Sequence, residues 1–419
     1  MTRSAPTTEA HVREDLRRWI DTSWDPQLSL LEWRQRLADA GWSCPTWPRE
    51  WGGRGLGAAF AAIVTDGFAT AGVPGPPDGV GMHLAAPTIL EHGSDELRRR
   101  FLRPTVTGEI TWCQLFREPG AGSDLAGLTT RAEPDGDEWM VTGQKVWNTG
   151  AAHAYVGLLL ARTDWDAPKH GGITYFVLPM RQAGVDVRPL RQMNGHFSFN
   201  EVFLDSARVP ARNLIGEVGH GWAAAVTTLA HERRLASGRR GAATRLSPSG
   251  RVWREAVAER TAASEPHKWY PERAGRVDLL IEQAKATGSR RDPVVRQEIT
   301  RVLSMERSAK WTAQRAAAAR ALGRAPGPEG SLGRLATSNI AKAASYTHSL
   351  IAGTHGMLSG PDGPLGGVIA EIVVSVPAQS IAGGTDEIQR NILGERRLGL
   401  PKEPESTRLM PFRQVPKNS

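Results

Sequence analysis

Residues 112–124 read Trp-Cys-Gln-Leu-Phe-Arg-Glu-Pro-Gly-Ala-Gly-Ser-Asp, and the texture of the chain changes at this stretch. Before it, from about residue 8 to 107, apolar residues fall at helical spacing. Leu16, Trp19 and Ile20 recur at i, i+3, i+4, and Trp33, Leu37 and Trp42 follow more loosely. Breaks such as Trp51-Gly-Gly-Arg-Gly and Val73-Pro-Gly-Pro-Pro separate these helices. After it, to about residue 219, come short runs rich in β-branched and aromatic residues: Trp139-Met-Val-Thr, Val156-Gly-Leu-Leu-Leu-Ala, Ile173-Thr-Tyr-Phe-Val-Leu and Glu201-Val-Phe-Leu. Asp135-Gly, Ala183-Gly and Asn194-Gly mark turns between them. Strands at this spacing with no long helix between them predict an antiparallel barrel or sandwich.

From about residue 222 the helical pattern returns. Segments 222–238, 275–287, 293–323, 331–358 and 367–396 are long enough for a bundle of four or five helices. Between the first two lies an Arg-rich stretch, 239–275, too long for an ordinary bundle loop. It is expected to be a solvated insertion, with a substrate lid or partner surface as the alternative. The expected domains are a helical one (1–109), a central β domain (110–220) and a C-terminal helical one (221–419).

The 419 residues are 40% apolar and 23% charged, enough to bury real cores. Cys44 and Cys113 are the two cysteines, which excludes a disulfide scaffold or a cysteine-rich zinc site. The longest apolar stretch, around residues 155–161, falls far short of a spanning helix, and the first ten residues hold no apolar h-region. A cytoplasmic protein without membrane association is expected. The net charge of +8 invites a nucleic-acid reading, but 44 of the 52 basic residues are arginine, spread along the chain among acids. No nucleic-acid partner is expected; a phosphate-bearing cofactor or substrate accounts for the excess equally well.

No G-x-G-x-x-G follows a strand, and no P-loop or G-x-S-x-G elbow is present. His231-Glu-Arg-Arg-Leu235 opens like a zincin helix, but Leu235 stands where the second His is needed, so no metal site is expected. Two glycine-rich segments remain, Glu118-Pro-Gly-Ala-Gly-Ser-Asp124 and Ala382-Gly-Gly-Thr-Asp-Glu387. Both can present successive backbone N–H groups to an anion or to polar ring atoms, and Thr385 is a good N-cap for the last helix. The most informative single residue is Glu232. Ala225, Leu229, Glu232 and Ala236 share one face of the helix over 222–238, and that face is otherwise small and apolar. A carboxylate there is either paired with Arg233 or Arg234, or poised as a base in an apolar pocket, or solvated where the stripe drifts.

The 112–124 stretch, Gly143-Gln-Lys-Val-Trp-Asn-Thr149 and Gly384-Thr-Asp-Glu-Ile-Gln-Arg390 together resemble an acyl-CoA dehydrogenase of the actinobacterial branch, some of whose members act on branched or sterol-derived acyl chains. The resemblance runs from about residue 17 to 401. It implies an α+β multidomain fold: an N-terminal helical domain, a central antiparallel β-barrel and a C-terminal four-helix bundle. It implies FAD as cofactor, an acyl-CoA or acyl-carrier-protein thioester as substrate, and an electron-transfer flavoprotein as electron acceptor. It also implies a homodimer or homotetramer and a place in fatty-acid or lipid metabolism.

Residue by residue, the resemblance implies that Glu232 removes the α-proton, since it matches the x-Glu-Arg pattern after the β domain. The alternative base position, before Gly-Thr of the last helix, is Gly383, whose backbone N–H would serve the oxyanion. Gln114 and Phe116 would line the flavin, partly through backbone atoms, with Gly122 nearby. Trp147 would pack on the ring, although by itself it reads as an ordinary core tryptophan. Thr149 would bond near flavin N5. Ser123 would meet cofactor and the CoA arm, and Ala230, Arg233 and Gly384 would lie at the substrate. Gln297, Thr385 and Glu387 would contact FAD, the last two in a neighbouring subunit. Two departures stand out. Arg117 replaces a small hydroxyl that bonds the flavin, and Arg290 or Arg291 must stand in for an unrecognisable Arg-x-x-Phe-Gly pyrophosphate segment. These leave open an oxidase, a hydroxylase, an enzyme of carrier-bound thioesters, or a flavin-poor subunit of a heteromer.

Overall fold

The structure, a computed structural model, describes residues 8–238, 249–321, 327, 329–404 and 407–416. The chain divides into two compact units, Met1–Leu190 with Phe199–Ser264 and Thr407–Ser419, and Arg191–Ser198 with Glu265–Ser406.

The first unit opens with α1 (Glu9–Ser23), α2 (Leu30–Asp39), α3 (Phe60–Ala71), α4 (Ala86–His92) and α5 (Asp95–Thr107). Their starts follow local chemistry. Thr8 and Ser94 cap α1 and α5, and Ser29 forms a reciprocal capping box with Glu32 on α2. The helical spacing predicts their core, since Leu16, Ile20, Trp33, Leu37 and Trp42 are all buried.

Eight strands follow: β1 (Trp112–Leu115), β2 (Arg131–Asp135), β3 (Glu138–Thr149), β4 (Val156–Arg162), β5 (Ile173–Pro179), β6 (Val185–Leu190), β7 (Phe199–Pro210) and β8 (Leu214–Ile215). They form one sheet in the order β6-β7-β3-β2-β4-β5-β8, with β1 on β4. Pairing is antiparallel except at β4, which runs parallel to β1 and, at one residue pair, to β2. The Asp135-Gly136 turn closes the β2–β3 hairpin with Gly136 at φ 64°, a conformation that glycine adopts freely. β4 and β5 are buried on both faces, so alternate residues feed two cores. Leu158, Leu160, Tyr175 and Val177 face α4, α5 and α6 (Gly221–Gly238), whereas Leu159, Ala161, Phe176 and Leu178 pack with β3 and β7.

The Arg-rich stretch is not the solvated insertion its composition predicts. Its described part includes α7 (Arg251–Ser264), which puts Val252, Trp253 and Ala256 into the core of α1–α3. Trp253 donates its indole N–H to Gly72 O at 2.8 Å, and Arg34 grips Glu259 through two 2.7 Å bonds. An amphipathic stripe is present; the many arginines simply occupy its outer face. Residues 239–248 lie outside the described residues.

The second unit holds α8 (Tyr270–Arg273), α9 (Leu280–Ala286), α10 (Pro293–Ala321), α11 (Glu329–Ala352), α12 (Val368–Ser375) and α13 (Asp386–Arg397). Leu280, Val295, Val302, Ala344 and Ile351 form the α9–α11 core, and Ala341, Ile369, Ile372 and Val376 join α11 to α12. The single segment expected over 367–396 is therefore two helices. Pro377 and the left-handed Gly383-Gly384 pair lie between them.

Candidate active site

β1 organises the site. Its parallel register on β4 (Trp112 on Val156, Gln114 on Leu158) alternates its side chains between the two cores. Trp112 and Phe116 enter the core that contains Ala224 and Ala225 of α6, whereas Cys113 and Leu115 enter the other. Gln114 lies between Trp112 and Phe116 and so shares their face. α6 is anchored on that face by a buried hydroxyl cluster. Thr228 Oγ1 lies 2.8 Å from Thr88 Oγ1 and 3.1 Å from the Tyr175 hydroxyl, whose pKa burial pushes up. One turn further on, after the partly buried Leu229, Glu232 meets the motif strand, and Gln114 Nε2 donates to Glu232 Oε2 at 3.4 Å. Glu232 is itself partly buried, so the stripe does not drift to full exposure. The side chains of Arg233 and Arg234 lie outside the described residues.

The 143–149 stretch is bonded directly onto this strand. Val146 N donates to Arg117 O at 2.9 Å, and Asn148 Nδ2 donates to Gln114 O at 2.7 Å. Gly143 lets β3 pass close to the segment leading into β2, because a Cβ there would sit 2.7 Å from Thr130 Cα. A bulge between Lys145 and Asn148 puts Trp147 at φ 64°, a conformation rarely adopted by non-glycine residues. The bulge turns the indole outward, 49% exposed, with its edge against Phe199. Trp147 is therefore not a core tryptophan. Thr149 is exposed beside it, and Asn148 Oδ1 is buried without a hydrogen-bond donor among the described residues.

Beneath the bulge lies a buried ion pair whose function the motif reading does not assign. Lys145, 0% exposed, donates to Glu118 at 2.8 Å and to Phe116 O at 3.2 Å. Glu118 also accepts from the backbone N–H of Thr129 and Thr130 and from the Thr129 hydroxyl. Burial opposes its ionisation, but Lys145 and these donors outweigh it and hold the carboxyl at about 2. Burial in turn pushes the Lys145 ammonium below its usual range. The signal in the sequence is a charged residue inside a strand, but its partner stands 27 positions away.

Other candidates are placed less centrally. The Phe116 side chain belongs to the core, edge-on to Tyr175, which leaves only its backbone for a ligand. Glu118 and Ala121 exchange backbone hydrogen bonds across the glycine turn, and Gly122 and Ser123 are exposed beyond it. Arg117 is partly buried and has no polar side-chain partner among the described residues. Ala230 is partly exposed on α6.

In the second unit, Gly383 (φ 70°) and Gly384 (φ 88°) lead into α13, and Thr385 caps it by accepting from Ile388 N at 3.3 Å, as its position predicts. The turn is tied to α11. Arg334 donates to Gln379 O and Ala382 O, while Ser338 and Lys342 bond Asp386 at 2.9 and 2.8 Å. Burial would raise the Asp386 carboxyl, but these two partners hold it low. Glu387 is exposed and pairs with Arg390; Arg290 and Gln297 are exposed around the start of α10. Among the described residues no group of three or more His, Cys, Asp or Glu is placed to hold a metal, and no helix is long and apolar enough to cross a membrane.

Known proteins resemble this chain over most of its length. Models of the N-terminal, middle and C-terminal domains of acyl-CoA dehydrogenase match residues 6–109, 113–207 and 272–398. The acyl-CoA dehydrogenase IpdE1 of Mycobacterium tuberculosis is 35% identical over 380 residues, 88% of either chain. The chain belongs to the acyl-CoA dehydrogenase family. It is an oxidoreductase acting on a CH–CH group, in a family of flavoproteins. Among solved structures, the Tcur3481-Tcur3483 steroid ACAD is similar at a TM-score of 0.64 and 24% identity, covering 96% of this chain and 100% of that one. The ChsE4-ChsE5 complex from Mycobacterium tuberculosis follows at 0.60 and 27% identity, with 96% and 100% covered.

Proposed function

We propose that this acyl-CoA dehydrogenase forms an α,β double bond in an acyl-CoA thioester, with Glu232 removing the α-proton. The observation that carries this is the position of Glu232. α6 places its carboxylate beside Gln114 of the motif strand, at the margin of an apolar core. A thioester α-proton is weakly acidic, so its removal needs a positioned base and a polarised carbonyl. Gly383 N–H is assigned the developing oxyanion, and Ala230, Arg233 and Gly384 the substrate. FAD, when bound, supplies the acceptor for the β-hydride. The residues fit such a ring system. The exposed Trp147 indole offers an aromatic face, Thr149 and Ser123 offer hydroxyls, and Gln114, Phe116 and Gly122 offer backbone atoms. Arg290, Gln297, Thr385 and Glu387 are assigned the rest of FAD, the last two from a neighbouring copy, which implies a dimer or tetramer. An electron-transfer flavoprotein is the proposed electron acceptor.

The test is Glu232→Gln, loaded with FAD and mixed anaerobically with acyl-CoA. Flavin absorbance should be retained, while its bleaching slows by about 10²–10⁴-fold. Bleaching at the parent rate would refute Glu232 as the base. The partly buried Arg117, which has no polar side-chain partner among the described residues, favours a second reading, in which the same fold acts on carrier-bound thioesters or oxygen. Rapid peroxide formation in air, or turnover of a carrier-bound but not a CoA-bound acyl group, would select it. Because the similar ChsE4-ChsE5 structure is a complex, co-purification with a flavin-loaded sister chain would instead indicate a heteromer.

A further inference from the structure

We infer that Gln114 and Asn148 form an amide relay that positions Glu232: Gln114 orients the carboxylate, and Asn148 holds Gln114. This rests on the reading of Glu232 as the base.

Gln114 occupies an unusual place. Its strand neighbours on the same face, Trp112 and Phe116, are buried at 6% and 2%, and the opposing helix presents Ala225 and Leu229. An amide on an apolar face costs stability unless its polar atoms are satisfied. Here the side-chain N–H₂ donates to Glu232 at 3.4 Å, and the main-chain carbonyl accepts from Asn148 at 2.7 Å. The first bond is long for its type. A bond of that length directs the carboxylate without holding it tightly.

Asn148 completes the relay. It is 1% exposed, where a strand ordinarily buries an apolar residue, and it sits inside the bulge that turns Trp147 outward. Its Nδ2 holds Gln114 O, and its main-chain carbonyl accepts from Asn200 Nδ2 at 2.9 Å. One buried residue therefore ties the strand that carries Gln114 to the bulge that presents Trp147. The positions of the base and of the aromatic surface are set by a common residue, which keeps proton removal and hydride transfer in register across one substrate. Gln114 and Asn148 are positioning residues; neither takes the proton.

The experiment compares the FAD-loaded parent with Gln114→Met, Asn148→Leu and the double variant. Each is reduced anaerobically by whichever member of a panel of straight and branched acyl-CoAs bleaches the parent fastest. Each single variant should slow the limiting rate of flavin reduction about 10-fold, with half-saturation unchanged within about 2-fold. The double variant should be no slower than about 20-fold, because the two residues act through one path. A second readout needs no cofactor: in crystals of the unloaded protein, Glu232 should occupy one rotamer in the parent and several in Gln114→Met. Parent-like rates and a single Glu232 rotamer in Gln114→Met would overturn the relay, and so would a double variant slowed by the full product of about 100-fold. If Asn148→Leu does not fold, Gln114→Met decides alone. Failure of the underlying reading looks different, since Glu232→Gln would then itself retain bleaching.

Discussion

Lys145 shows how much of this site is built by charges that never meet solvent. Its ammonium and the Glu118 carboxylate join the end of the motif strand to β3 beneath Trp147. Breaking a buried pair by removing one partner strands the other charge, a loss of about 3–5 kcal/mol, whereas removing both costs far less. Lys145→Met should therefore lower stability by about that amount in guanidinium denaturation, and Glu118→Leu combined with Lys145→Met should recover most of it. Equal losses in the single and double variants would show that the packing of these side chains matters and their charge does not. At this scale the sequence was legible only in part. The apolar stripe around Glu232 marks it as unusual, because helical periodicity is local. Its partner Gln114 lies 118 positions away, and no local pattern announces that contact.

At the scale of elements, caps and turns were the clearest features. Thr385 before α13 and the Asp135-Gly turn both act through neighbours within three residues. α7 and β1 were not legible. Arginine density hides the stripe of α7, and β1 is a strand only because β4 lies parallel beside it, a pairing 44 residues distant. α7 contributes to the helical core through Trp253, 5% exposed and hydrogen-bonded to Gly72. Trp253→Ala should cost about 3–5 kcal/mol, read as a lowered denaturation midpoint. A change under about 0.5 kcal/mol would restore the solvated reading of this stretch.

Across the whole molecule, three buried groups among the described residues contribute to the response to acid. His348, fully buried between Gln283 and Arg276 O, is kept neutral by burial, so its folded pKa lies below its usual 6.5. Glu118 and Asp386 are likewise held below the ordinary carboxyl range, Glu118 at about 2. In each case the unfolded chain takes up the proton first, so stability is full above the ordinary value and falls as pH drops towards the folded one. The melting temperature should be level from pH 8 to 7, decline below about 6.5 and fall steeply below about 4.5. His348→Gln should remove the first decline while leaving the second, as followed by circular dichroism. What the sequence determined by itself was the succession of helical, β and helical regions, the three glycine-bearing motifs, and the singular carboxylate on α6. These depend on residues a few positions apart, where periodicity and turn chemistry act. Only the tertiary structure decided that α7 joins the N-terminal core, that Lys145 neutralises Glu118, and that Trp147 faces outward while Gln114 meets Glu232. Each of those is a contact between distant segments, and burial and hydrogen-bond satisfaction at such contacts are set by the packed fold and not by local pattern.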